Sequence, residues 1–304
     1  MHAIDIDILV VGGVGIDTIV RVPSLPLALA DSIHVPAVRD YVAHTGNGVA
    51  LGSLALGRKT KLIDFIGADP QAAQIHARYA ERALDFSYIV HPSGTRRSVN
   101  LVDPSGRRLS LYDGRHPDEL TMPREFYLPL LERCRHMHLS IVPWARHLYD
   151  DSLRLGVTVS TDLHDWDGVN SYYHAFAYRS DIVFLSAANL KGDHERVMRA
   201  ILAQGRASIV VAMAGAAGSY LLERDKPTIS SAGVAGLGRP IVDSNGAGDA
   251  YVAAFLAGLA EGLSLDACMA LGAVAGEYTC GIDGTAEAFL SRAELAQYIE
   301  QGTP

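Results

Sequence analysis

The chain has 304 residues, 49% hydrophobic and 20% charged, which is enough apolar material for a sizeable core and places it among ordinary globular proteins. A formal net charge of −8 argues against a nucleic-acid binder, whose phosphate contacts need clustered Lys and Arg, and points to a small-molecule substrate. Cys134, Cys268 and Cys280 form no CxxC pair, there is no secretory leader pattern and no apolar run of ~18 residues, so the expected setting is the reducing cytoplasm, away from nucleic acid and membrane.

Residues 6–11 are an apolar, β-branched run ending at Gly12-Gly13, the pattern of a buried parallel strand followed by a turn. Residues 48–56 carry helical apolar spacing, and 60–66 read as the next strand. Ser98 to Asp103 turns at Pro104-Ser105-Gly106 and returns through Leu109 and Leu111, a hairpin signal. Further strands are predicted at 137–142, 157–161, 181–185 and 208–213, with helical stretches between most of them. This alternation predicts an α/β fold: a doubly wound, mainly parallel sheet covered by helices, in one domain over residues 1–304. Two segments lack the rhythm, about 17–43 and 95–113, and predict a small β-sheet standing off the main one as a lid.

Three glycine-rich stretches are candidate anion sites. From Gly13 a dinucleotide fingerprint would need its third glycine at Thr18, so that motif fails. Residues 52–60 nearly spell a P-loop, but Arg58 intrudes before Lys59 and Gly57 reads as the C-cap of a helix. The third, Asp243-Ser244-Asn245-Gly246-Ala247-Gly248-Asp249, runs straight into a long apolar stretch. First-turn amides lack intrahelical acceptors and the helix N-terminus carries partial positive charge, so this turn can hold an anion, with Asp249 beside it to accept a proton. A plain capped helix, its Asp complementing the dipole, is the alternative on spacing alone.

This third stretch resembles the DTxGAGD signature of the ribokinase-like (PfkB) carbohydrate and nucleoside kinase family, with Ser244 the one departure. The family's Gly-Gly-Asn motif and later Gly-x-Asp are similar to Gly46-Asn47, Leu56-Gly57 and Gly67-Ala68-Asp69, with Thr45 in place of the first glycine. Gly13 and Asp17, the hairpin with Gly106-Arg107-Arg108, Asn189, and Gly215 to Gly218 follow the family's order over nearly the whole chain. The resemblance implies a ribokinase-like sheet with a β lid, and transfer of phosphate from ATP with Mg2+. Asp17, Gly46 and Asn47 would then bind the acceptor, Asp249 would deprotonate it, and Gly246, Ala247 and Gly248 would hold the transferring phosphoryl. Asn189, Gly215, Gly218 and Asn245 would line the nucleotide, Asp243 would help hold a monovalent cation such as K+, and the lid is a candidate homodimer surface.

Two departures qualify that reading. The family's Asn-x-x-Glu motif reads Asn189-Leu190-Lys191-Gly192, without its glutamate, which leaves Lys191 or Asp193 to compensate in metal handling. Gly15 stands where ribokinases place an asparagine, which moves the expected acceptor away from ribose. The hairpin carries four arginines and one aromatic, Tyr112, so a sugar or sugar acid is expected ahead of a nucleoside, the second choice. A catalytically weak sugar-binding protein on the same scaffold is the remote third. Asp162 to Asp167 reads as an exposed acidic loop, and His136 and His138, with no third ligand, as structural. Trp144 and Tyr112 are left open between packing and acceptor contact.

Overall fold

A computed structural model describes residues 4–301. In chain order the elements begin with β1 (Ile6–Val11), β2 (Gly15–Arg21), β3 (Arg39–Ala43), α1 (Thr45–Ala55), β4 (Thr60–Ile66), α2 (Pro70–Arg82) and β5 (Asp85–Val90). They continue with β6 (Arg97–Val102), β7 (Arg108–Asp113), α3 (Arg124–Leu131), β8 (Cys134–Leu139), α4 (Leu148–Leu155), β9 (Thr158–Asp162) and α5 (His174–Arg179). The last are β10 (Ile182–Ser186), α6 (His194–Gln204), β11 (Ile209–Met213), β12 (Ser219–Glu223), β13 (Ser230–Ala232), α7 (Ala247–Ala260), α8 (Leu265–Cys280) and α9 (Arg292–Glu300).

Nine strands form the large sheet in the order β13-β12-β11-β10-β9-β8-β1-β4-β5, parallel except for β12 and β13 at one edge. From β1 the chain winds outward through β4 to β5, then restarts at β8 on the other side. Such a reversal leaves a crevice at the carboxyl ends of the strands. Strand side chains alternate between faces, so β1 sends Leu9 and Val11 into a core with α3 to α6 and Ile8 and Val10 into one with α1, α2, α7 and α8. α7 has no polar face because it lies between α1 and α8. Gly52, Gly258 and Gly272 make the close approach there: a Cβ on each would press into Ala253, Leu271 or Tyr251.

One predicted strand is displaced. Instead of 137–142, β8 spans Cys134–Leu139, because the chain turns away at Ser140, whose amide donates to the Val11 carbonyl, and enters a 3-10 turn at Pro143–Ala145. The polar start of β8 is satisfied in part: His136 Nε2 and His138 Nδ1 both meet Ser160 Oγ, at 2.7 and 2.9 Å, while the buried His138 Nε2 has no protein partner, and burial pushes the two pKa values to about 4 and about 3. Gly57 closes α1 in a Schellman arrangement, its amide reaching Leu54 O and that of Arg58 reaching Ser53 O, as expected of a C-cap and not of a P-loop.

The small sheet has the order β3-β2-β6-β7. Its register puts Tyr41, Asp17, Ser98 and Tyr112 in one row on one face, with Arg39, Ile19, Asn100 and Ser110 next, then Arg21, Val102 and Arg108. Ser98 and Asn100 are buried on this face, while Leu109 and Leu111 are exposed on the other. Two polar anchors seat the sheet. Arg96, just before β6, is buried against Asp64 of β4, which also accepts from the Val14 amide at 2.8 Å. Asp69 caps α2 through the Ala72 amide and takes the amide and hydroxyl of Thr95, at 2.8 and 2.7 Å. No described helix is long and apolar enough to cross a membrane.

Candidate active site

At the crevice the segment 243–246 turns into α7. Gly246 is the N-cap with φ 79°, a left-handed conformation that costs glycine little. The turn is shaped by Asp243 Oδ1, which accepts from the Asn245 amide at 3.0 Å, and by the Ala247 amide donating to Ser244 O at 3.3 Å. No side chain caps the helix, and the amides of Gly248 and Asp249 meet no acceptor among the described residues. Free amides and the positive end of a helix dipole are the features with which such a turn can hold an anion, so it is a candidate anion cradle.

Asp249 follows in the first turn of α7, and its carboxylate rests against α1 where Gly48 has no side chain; a Cβ there would overlap it. Burial, then the charges of Asp162 and Asp17, raise its pKa well above the ordinary carboxylate value, with Arg108 opposing them. The site therefore brings three carboxylates within electrostatic reach of one another, from β2, from the end of β9 and from α7.

On one side of Asp249 stand the residues expected to bind acceptor. Gly46 lies so close to the Gly12 carbonyl that any Cβ would collide with backbone. The Asn47 amide donates to Gly13 O at 2.9 Å and its Nδ2 to Val42 O at 3.1 Å, while its buried Oδ1 has no protein partner. His44, absent from the sequence expectations, has φ 73° at the entry to α1, and its Nε2 lies 3.2 Å from both Asp17 Oδ1 and Ser98 Oγ. Such a backbone conformation is unfavourable for a non-glycine residue and is held here by its surroundings. Thr45 Oγ1 meets His164 Nε2 at 3.1 Å, which ties α1 to the loop after β9.

On the other side stand the residues expected to line the nucleotide. Asn189 Nδ2 donates to Asp165 O and Oδ2, both at 2.9 Å, and Asp193 is engaged by Arg196 at 2.6 Å. Ala187 N donates to Met213 O, which joins the loop after β10 to that after β11. There Gly215 and Gly218 frame a 3-10 turn with φ 56° and 84°; a Cβ on Gly218 would strike the Ala232 carbonyl, whereas Gly215 faces open space. Asn245 faces the lid, where its Oδ1 accepts from Arg108.

One expectation is corrected. The segment 162–167 is not a uniformly exposed acidic loop: Asp162, Leu163 and Trp166 are buried, and only Asp165 and Asp167 of its acids are exposed, because β9 carries Asp162 to the floor of the crevice. Trp144 is core, 1% exposed and edge-on to Phe65 at 5.1 Å, so it cannot read an acceptor. Tyr112 stays at the lid's rim, 5.7 Å from the His44 ring. Both oxygens of Asp243 are taken, Oδ1 by the Asn245 amide and Oδ2 by Arg21 at 3.1 Å. Among the described residues no three His, Cys, Asp or Glu side chains converge as a metal cage.

The sequence profile of the pfkB family carbohydrate kinases matches residues 166–291, a stretch that holds the anion cradle and Asp249. Acarbose 7(IV)-phosphotransferase of Actinoplanes sp. is 42% identical over 290 residues, covering 95% of this chain and 97% of that protein. The chain belongs to the pfkB family of carbohydrate kinases. Among solved structures, a microbiome-derived acarbose kinase is 46% identical with a TM-score of 0.90, covering 97% of this chain and 99% of its own. Arabidopsis thaliana ribokinase, solved with ribose and ATP, shares the fold at a TM-score of 0.79 and 17% identity, over 97% and 98% of the two chains. As a pfkB carbohydrate kinase the protein is an ATP-dependent phosphotransferase acting on a sugar hydroxyl, and its large, mostly parallel sheet with a smaller second sheet is the ribokinase-like fold anticipated from the sequence.

Proposed function

We propose that this kinase phosphorylates a hydroxyl of an acarbose-type saccharide, with Asp249 as general base and the turn at Gly246, Ala247 and Gly248 as the anion hole. The observation that carries the acceptor is the 42% and 46% identity, along almost the full chain, to two proteins named for phosphorylating acarbose. The pocket agrees with a polyhydroxyl acceptor: Asp17, Ser98 and Asn100 face it from the lid, Asn47 offers an unpaired Oδ1, and Trp144, the residue able to stack a nucleoside base from the main body, is in the core.

In this mechanism Asp17 and Asn47 hold acceptor hydroxyls so that one of them points at Asp249. The Asp249 carboxylate takes that hydroxyl's proton as its oxygen attacks the γ-phosphorus of ATP and ADP leaves in line. Charge on the transferring phosphoryl is met by the Gly248 and Asp249 amides, in a site where alignment and preorganised dipoles do most of the catalytic work. Mg2+, when bound with the triphosphate, would supply positive charge against the phosphates. Asp165 and Asn189 carry the oxygen donors this hard cation prefers and would stand beside it, in place of the glutamate absent at Gly192.

The test is ATP consumption with acarbose, glucose, a sugar acid, ribose and adenosine as acceptors, with the phosphorylated position mapped by NMR. The expected result is the highest kcat/KM for acarbose. A preference of about tenfold or more for adenosine, a gap of ~1.4 kcal/mol in transition-state binding, would make the chain a nucleoside kinase instead.

A further inference from the structure

We infer that Arg21 is a built-in counter-cation for the phosphate turn, so that phosphoryl transfer needs no monovalent metal ion at Asp243. The inference rests on the kinase reading above. Asp243 is a poor place for such an ion. Its side chain is 5% exposed, its Oδ1 is held by the Asn245 amide, and its Oδ2 lies 3.1 Å from Arg21 Nη2. The same guanidinium nitrogen is 3.0 Å from Asp283 Oδ1, and Arg39 Nη1 is 3.4 Å from Asp283 Oδ2. Two arginines of the lid thus balance two carboxylates of the turn and of the loop after α8. A metal ion at Asp243 would have to displace the guanidinium or sit against it.

The charge has a reason to be there. Asp243 shapes the turn whose glycine presents the free amides, yet an uncompensated buried carboxylate beside that cradle would repel the phosphoryl oxygens it must hold. Arg21 cancels this repulsion without touching substrate or nucleotide, which makes it a positioning residue. It is also delivered by the lid. Arg21 and Asp17 are on the same face of β2, and Arg108, in line with Arg21 across Val102, donates to Asn245. The same row of the lid therefore pairs with Asp243 and holds Asn245.

The experiment compares wild type, Arg21→Ala and Arg21→Lys in about 100 mM KCl and in choline chloride at equal ionic strength, reading both phosphoryl transfer and thermal unfolding, since an ion bound only by the native state raises Tm. Wild type should show the same kcat, within about twofold, and the same Tm in both salts. Arg21→Ala should lose about 10- to 100-fold in kcat, the scale of a disturbed anion hole, and regain part of it, with a higher Tm, in KCl alone. Arg21→Lys keeps the charge and should keep most of the activity; if the alanine variant fails to fold, a kcat within tenfold of wild type for the lysine variant, without KCl dependence, carries the test. Wild type stimulated tenfold by KCl, or specifically stabilised by it, overturns the inference, and so does an alanine variant indistinguishable from wild type. If wild type transfers phosphate to no sugar, the acceptor reading fails, while the melting curves still decide the ion.

Discussion

Replacing Asp249 by Asn leaves the shape of the residue and removes the proton acceptor. General-base assistance is worth ~10²–10⁴-fold, so kcat should fall by that factor, or ~3–5 kcal/mol in the barrier. The same substitution should stabilise the free protein. Asp249 is surrounded by α1 and faces Asp162 and Asp17, and its folded-state pKa is raised, first by burial and then by those charges. The sign follows: the folded state holds the proton more tightly than the unfolded chain, so ionised Asp249 destabilises the fold at any pH above its folded value. That cost fades as pH falls through the folded value and is gone near the unfolded value of ~4. The variant should therefore melt higher than wild type at about pH 8, and the difference should shrink as the pH is lowered towards about 5. Coupled ADP release and thermal melts from pH 5 to pH 8.5, experimental settings chosen on the order of the window that linkage defines, test both halves. A variant that turns over within about tenfold of wild type, or that melts lower than wild type at high pH, would remove Asp249 from this role.

Gly48→Ala should fold, since alanine favours a helix interior, yet lower kcat by about 100-fold as its methyl displaces the Asp249 carboxylate; a near-normal rate would mean the carboxylate works from another rotamer. Asp162→Asn keeps an oxygen for the His164 amide, which Asp162 Oδ1 accepts at 2.8 Å, but removes a charge that raises the Asp249 pKa, so the acidic limb of the kcat/KM profile should move to lower pH. An unmoved limb would separate the two carboxylates. His44→Phe should raise acceptor KM by about tenfold with kcat little changed, because it frees Asp17 and Ser98 without reaching the phosphoryl group. Equal loss in kcat would place His44 in the chemistry.

The strand–helix alternation was readable because buried parallel strands are written as local apolar runs, and the lid was readable as the place where that rhythm fails. β8 was misplaced because Arg135 and His136, its second and third residues, look too polar for a central strand. The partner that satisfies His136, Ser160, lies on the neighbouring strand and 24 residues away. The antiparallel edge of β12 and β13 was missed for a related reason: β13 is three residues of Ser-Ser-Ala and carries no apolar signal.

The turn before α7 was legible as a candidate site because its residues are contiguous: seven residues supply the turn, the amides and the acid. The rest of the site is assembled across strand register, and register is not written locally. Asp162 looked like one acid in an exposed run because only the pairing of β9 between β8 and β10 shows which carboxylate goes inward. Arg21 and Arg108 looked like ordinary lid cations for the same reason. Their meaning depends on sharing a row across β2, β6 and β7, and on a turn more than 130 residues away in the chain. Motif matching therefore reached the contiguous turn and Asp249 and passed over the lid charges that contact that turn. Asp243 shows the consequence: seen alone it invites a cation, and only the folded lid shows the Arg21 guanidinium beside it.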